Sequence, residues 1–168
     1  MSMDFGDEQG LDKLTARGRE WPCLRQFGVF MENRVGRLHD LMRHIETHDL
    51  RVVALSIVDS IDYAVARLIV DHTDRAREVF ELSNFTFYET DIIGVALPDT
   101  PAPYVSIFTA LLQAEQNIFY TYPLLYRRRG HGGIAVYTDD IDQSLRVLRE
   151  KGHTLITENS LQEDDEFL

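Results

Sequence analysis

A shift of 66 positions lays one half of this chain over the other. Leu38, Leu41, Met42 and Ile45 recur at i, i+3, i+4 and i+7, the stripe of an amphipathic helix, and Tyr104, Ile107, Phe108 and Leu111 repeat it 66 residues on. A short loop precedes each stripe, Asn33-Arg34-Val35-Gly36 in one copy and Asp99-Thr100-Pro101-Ala102 in the other. An apolar strand pair and a second amphipathic helix follow in both. A unit of under about 80 residues repeated in one chain is a module stacked on itself, and the join between modules is a natural place for a pocket.

Residues 24–31 read as a strand with Phe27, Val29 and Met31 on one face and Phe30 on the other. Gly36 precedes a helix that runs to about residue 48. The β-branched runs 50–58 and 63–71 are joined by Asp59-Ser60-Ile61-Asp62 as a hairpin. Thr73 and Asp74 are placed to cap a helix bearing Ala76, Val79, Phe80 and Leu82. Phe85, Phe87 and residues 92–97 continue as extended chain, closing the first copy and opening the second without a linker. The second copy repeats the order: a helix from Pro103, a strand pair at 117–125 and 134–137, a cap at Thr138-Asp139-Asp140, a helix bearing Ile141, Leu145 and Leu148 that ends at Gly152, and a last strand at 154–157.

Each copy is therefore βαββαβ, and the expected fold is α+β: two ferredoxin-like units forming a continuous antiparallel sheet of about eight strands with helices on one face. The expected divisions are an N-terminal extension at 1–22, domains at 23–90 and 91–161, and an acidic tail at 162–168. The uncovered face of such a sheet predicts a homodimer.

The formal net charge of −11 argues against nucleic acid, which needs a concentrated basic face. Glu163, Asp164, Asp165 and Glu166 supply −4 of it locally. The basic run Arg127-Arg128-Arg129 leads into Gly130-His131-Gly132-Gly133 and reads as an exposed hairpin tip, with anion binding as its alternative. Cys23 stands alone and reads as a small buried hydrophobe in a reducing, cytoplasmic setting. No apolar run reaches the roughly 18–20 residues that cross a bilayer, so no membrane partner is expected.

The second copy resembles a known family. Asn117-Ile118-Phe119-Tyr120-Thr121-Tyr122, Val136-Tyr137-Thr138-Asp139-Asp140 with Ile141, and Gly152-His153-Thr154-Leu155-Ile156-Thr157 are similar to the ACT domain. The first copy carries the family's helix-entry pattern as Val35-Gly36-Arg37-Leu38. Across residues 24–161 the chain resembles the stand-alone bacterial proteins made of two ACT domains in tandem. The resemblance implies binding of a small effector, most often a free amino acid, between two domains, with no catalysis. It also implies the site: Asn33, Arg34, Val35, Gly36, Arg37 and Leu38 in one loop, Asp99, Thr100, Pro101 and Ala102 in the other, and the second-strand starts Arg51-Val52 and Asn117-Ile118 as opposite walls.

Physical chemistry makes the first loop a reasonable cradle. First-turn N–H groups lack partners and lie at the positive end of the helix dipole, and a glycine there admits a ligand carboxylate to the backbone. Asn33 and Asp99 can accept from an ammonium group. The second loop departs from the pattern, because Ala102 replaces the glycine and Pro103 removes a donor. The Gly36 loop is thus expected to be the better site.

Asp40, His44 and His48 have helical spacing that can share a metal, but a solvated polar face explains them, so no metal site or cofactor is expected. Asp139-Asp140 read as a cap rather than an acid/base pair, and no catalytic residue is assigned. The expectation is a non-catalytic regulatory protein that binds an amino acid. Two alternatives stay open: a regulatory subunit of an amino-acid biosynthetic enzyme such as acetolactate synthase, and a small enzyme acting at the domain interface.

Overall fold

Phe27, Val29 and Met31 alternate along β1 (Leu24–Glu32) and fill one face of a sheet. The computed structural model describes residues 18–163. Most of the anticipated N-terminal extension and all but the first acidic residue of the tail run lie outside those residues. The chain divides into two units, Arg25–Thr90 and the combination of Met1–Leu24 with Asp91–Leu168.

In the Arg25–Thr90 unit, β2 (Val52–Asp59), β3 (Tyr63–Val70) and β1 lie side by side in that order, all antiparallel. The first half of β4 (Phe87–Ala96) completes this set, with the Phe30 amide bonded to the Thr86 carbonyl just before it at 2.9 Å. Helices α1 (Arg37–Thr47) and α2 (Thr73–Leu82) cover one face. Leu41 and Ile45 from the first stripe and Ala76, Val79 and Phe80 from the second meet Phe27 and Leu68 in one core. Leu82 does not join it and is 84 % exposed, because the helix ends there and turns its last residue outward. The expected caps at Thr73 and Asp74 are also displaced. His72 occupies the N-cap with no side-chain bond, and Asp74 instead pairs with Arg77 at 3.0 Å. Arg77 also forks onto Glu89 at 2.6 and 2.8 Å, and this carboxylate, despite partial burial, holds the guanidinium proton above its ordinary range.

In the other unit, the second half of β4 pairs with β6 (His131–Thr138), and β6 with β5 (Ile118–Arg128). Helices α3 (Pro103–Gln113) and α4 (Ile141–Glu150) pack Ile107, Leu111, Leu145 and Leu148 onto Ile93, Val95, Ile134 and Val136. Asp140 caps α4 through Gln143 N–H at 3.0 Å, and Gly152, at φ +84°, ends it. Cys23 is fully buried in this core. Arg19 bonds Asp91 and Asp142, each at 2.7 Å, so residues just before β1 are fastened to this unit.

The described residues hold six strands rather than eight, for two reasons. A single ten-residue strand, β4, ends one repeat and begins the next. The anticipated last strand reduces to one bridge, Val95 to Leu155, flanked by Ala96 N–H to Thr154 and Ile156 N–H to Gly94. Helix α5 (Glu158–Glu163) follows it at once. Ile156 is admitted by two glycines: an added β-carbon on Gly94 or Gly133 would come within 3.1 and 2.4 Å of its side chain.

Candidate functional site

The Asn33 to Leu38 loop leaves the end of β1 and turns into α1 on Gly36, whose φ of +90° places it in the left-handed region. Nothing lies within 4 Å of where a β-carbon would sit there, so glycine serves the backbone angle and leaves that side open. The Arg37 amide bonds back to the Arg34 carbonyl at 3.3 Å, and Asp40 N–H takes the Gly36 carbonyl at 2.9 Å. The amides of Leu38 and His39 have no carbonyl one turn earlier within the helix, as at any helix start. Asn33 donates its side-chain amide to Asp59 at 3.1 Å, and its side-chain carbonyl oxygen remains an acceptor. Arg34 pairs with Glu32, and Val35 stands wholly exposed at the tip.

The second loop differs as its sequence suggests. Ala102 is the N-cap, at φ −132° with no side-chain bond, and Pro103 takes the first helical position. The Thr100 amide is spent on the Pro98 carbonyl at 2.9 Å. Asp99, Thr100, Pro101 and Ala102 are therefore a helix entry with fewer donors than the Gly36 loop.

Strand direction separates the two halves of each predicted site within a unit. Glu32 at the end of β1 pairs with Tyr63, whereas Val52 at the start of β2 pairs with Val70. The Gly36 loop and Arg51-Val52 thus lie at opposite ends of strands spanning about 23 Å at the usual rise per residue. Likewise Ala96 pairs with Gly133 near the second loop, and Ile118 pairs with Thr138 at the far end, beside Asn117.

At those far ends the structure reveals two carboxylates that sequence reasoning did not assign. Asp71 accepts the Arg51 amide at 2.9 Å, and Asp139 accepts the Asn117 amide at 3.1 Å. In both copies the acid's own amide returns a bond to the same residue's carbonyl, at 3.1 and 3.2 Å. The signal was present as an aspartate closing the third strand of each copy, but capping accounted for Asp139 equally well. The backbone N–H groups of Arg51 and Asn117 are consequently engaged inside their own units.

His48 Nδ1 donates to the His44 carbonyl at 2.8 Å, and His44 meets Ser83 through Nε2. The helical spacing of Asp40, His44 and His48 thus resolves into local bonds. Among the described residues no group of three or more metal-binding side chains converges, and no helix is long and apolar enough to cross a membrane.

The family model of the ACT domain pair matches residues 23–164. The chain belongs to the ACT domain pair family. Its fold is similar to that of protein BT0572 from Bacteroides thetaiotaomicron, with a TM-score of 0.76, 23 % identity, and 84 % of this chain and 97 % of that one covered. The regulatory subunit of aspartate kinase from Thermus thermophilus, in its ligand-free form, aligns with a TM-score of 0.52 at 14 % identity, over 77 % of this chain and 93 % of that one. Aspartokinase alpha and beta subunits align with a TM-score of 0.50 at 10 % identity, over 76 % and 90 %. At these identities the likeness is one of fold. No curated protein matches the chain. The ACT domain pair is a regulatory type of domain, and the family match supports a regulatory, ligand-binding role.

Proposed function

We propose that this ACT domain pair is a non-catalytic, cytoplasmic regulator that captures a free amino acid at the loop from Asn33 to Leu38. The observation that carries the reading is Gly36: a left-handed residue with open space on its β-carbon side, at the start of a helix, in a chain whose family is regulatory. The ligand's carboxylate is received at the first-turn amides, where the helix dipole favours negative charge, and its ammonium by the Asn33 carbonyl. The second wall comes from a neighbouring domain, through Arg51-Val52 or Asn117-Ile118, because within a unit these lie at the other end of the strands. At Arg51 and Asn117 the side chains supply the contact, since those two backbone amides are held by Asp71 and Asp139.

The protein acts as a homodimer. Phe30, Val58, Tyr63 and Tyr88 are half-exposed in the Arg25–Thr90 unit, and Phe30 and Tyr88 lie 5.6 Å apart. Apolar surface of this kind supports a partner, either a second copy or a biosynthetic enzyme. The second reading, a regulatory subunit, draws support from one solved structure of shared fold, the regulatory subunit of aspartate kinase from Thermus thermophilus.

A thermal-shift screen of the standard amino acids tests the reading. Ligand at 100 times its dissociation constant stabilises by about 2.7 kcal/mol. That raises the melting point by roughly 5–10 °C at about 2–4 °C per kcal/mol. No shift with any proteinogenic amino acid at millimolar concentration removes the amino-acid reading and leaves regulation through protein contacts.

A further inference from the structure

The basic hairpin of the second repeat borders a cavity of about 400 Å³ that the Gly36 loop does not touch. Strands β5 and β6 are joined by Arg129 and Gly130 alone, with Arg128 paired to His131. Both turn residues have positive φ, 52° and 81°, the type I′ geometry of a two-residue hairpin. Tyr126, Arg128, Arg129 and His131 line the cavity together with Leu97, Asp99, Leu155 and Ile156.

The charges there run against the rest of the molecule. The chain carries a formal net charge of −11, yet two guanidiniums and an imidazole line this cavity against one carboxylate. Among the described residues, neither Arg128 nor Arg129 forms an ion pair. Arg129 also occupies a left-handed position where asparagine, aspartate or glycine costs less, so its turn conformation does not account for the arginine. A cavity of a few hundred Å³ lined by both apolar and charged side chains is the form of a small-molecule site.

We propose that this cavity binds a small dianion, dicarboxylate or phosphate, whose negative charge Arg128 and Arg129 share as charge-assisted pairs. Asp99 opposes the ligand and limits its affinity. Dicarboxylates and phosphates share the required chemistry. This site is independent of amino-acid binding at Gly36.

The test is a titration of the full chain with succinate and, separately, inorganic phosphate, at ionic strength matched with chloride, followed by the amide resonances of Gly130, Gly132 and Gly36. Saturable shifts at Gly130 and Gly132, with Gly36 unmoved, are expected from at least one probe; saturation by only one identifies the source. Arg129→Asn creates an Asn-Gly turn suited to type I′, so the hairpin stays folded. Combined with Arg128→Gln it should weaken binding at least tenfold. Asp99→Asn should strengthen it at least threefold, an opposite sign that loss of folding cannot imitate. Linear, non-saturating shifts with both probes overturn the proposal. So does unchanged affinity in the Arg128→Gln, Arg129→Asn double variant, or Asp99→Asn binding no tighter than the unaltered protein.

Discussion

Asp139 and Asn117 exchange two hydrogen bonds, carboxylate to amide at 3.1 Å and amide to carbonyl at 3.2 Å, and so pin the start of β5 to the end of β6. Asp71 and Arg51 repeat the arrangement at 2.9 and 3.1 Å. Both expected ligand walls therefore begin at a clamped residue. Replacing Asp139 with alanine should cost about 0.5–1.5 kcal/mol, because the bond at Asn117 is solvent-exposed. Asp71→Ala should cost more, about 1.5–3 kcal/mol, since Asp71 is buried and its carboxylate accepts the Arg51 amide in a partly shielded bond. Urea denaturation of the two variants checks the order; equal or inverted losses would refute the assignment.

Gly94→Ala should destabilise the second unit by about 1–3 kcal/mol through overpacking. The added carbon would meet Leu24 Cδ1 at 2.5 Å and Ile156 Cβ at 3.1 Å, and the second contact lies too near the backbone to swing aside. Gly133→Ala should cost less, because its one contact under 3.0 Å, Ile156 Cδ1 at 2.4 Å, is the end of a flexible side chain and the fixed Val95 carbonyl stands farther off at 3.3 Å. Melting curves of the two variants report the difference.

His153 gives stability a pH dependence of known sign. Burial lowers its pKa below the ordinary 6.5, against a smaller opposing effect from its bond to the Ser106 backbone. The unfolded chain thus takes up this proton first as pH falls. This contribution is intact above about pH 6.5 and shrinks below it, until the folded imidazole is protonated as well. His153→Gln should flatten that part of the stability profile. A slope unchanged between pH 7 and 5 contradicts the account.

Much of the fold was legible because hydrophobic periodicity reports burial directly. The stripe at Leu41 and Ile45 and its repeat at Ile107 and Leu111 are buried as spaced, and Asp140 and Gly152 bound α4 as their chemistry dictates. The shared strand was harder to see. Counting two strands between Phe85 and Leu97 treats the repeats as separate modules, whereas one strand satisfies the backbone of both. Leu82 misled because periodicity does not mark where a helix ends. The Gly36 turn was readable from glycine alone. The carboxylate clamps were not, since an aspartate before a helix fits a cap as well as a backward bond to the preceding strand, and only strand pairing separates the two.

The central claim is that a free amino acid binds at the Gly36 loop, and calorimetric titration of loop variants tests it most directly. The ligand is the amino acid that raises the melting point most in the screen. Gly36→Val introduces a β-branched side chain at a left-handed position, at a strain of about 1–2 kcal/mol, so its own melting curve must first show a folded protein at the titration temperature. The account predicts saturable binding to the unaltered protein and to Ala102→Val, with no measurable heat of binding to folded Gly36→Val. Equal affinity in Gly36→Val and the unaltered protein, or loss confined to Ala102→Val, would contradict it.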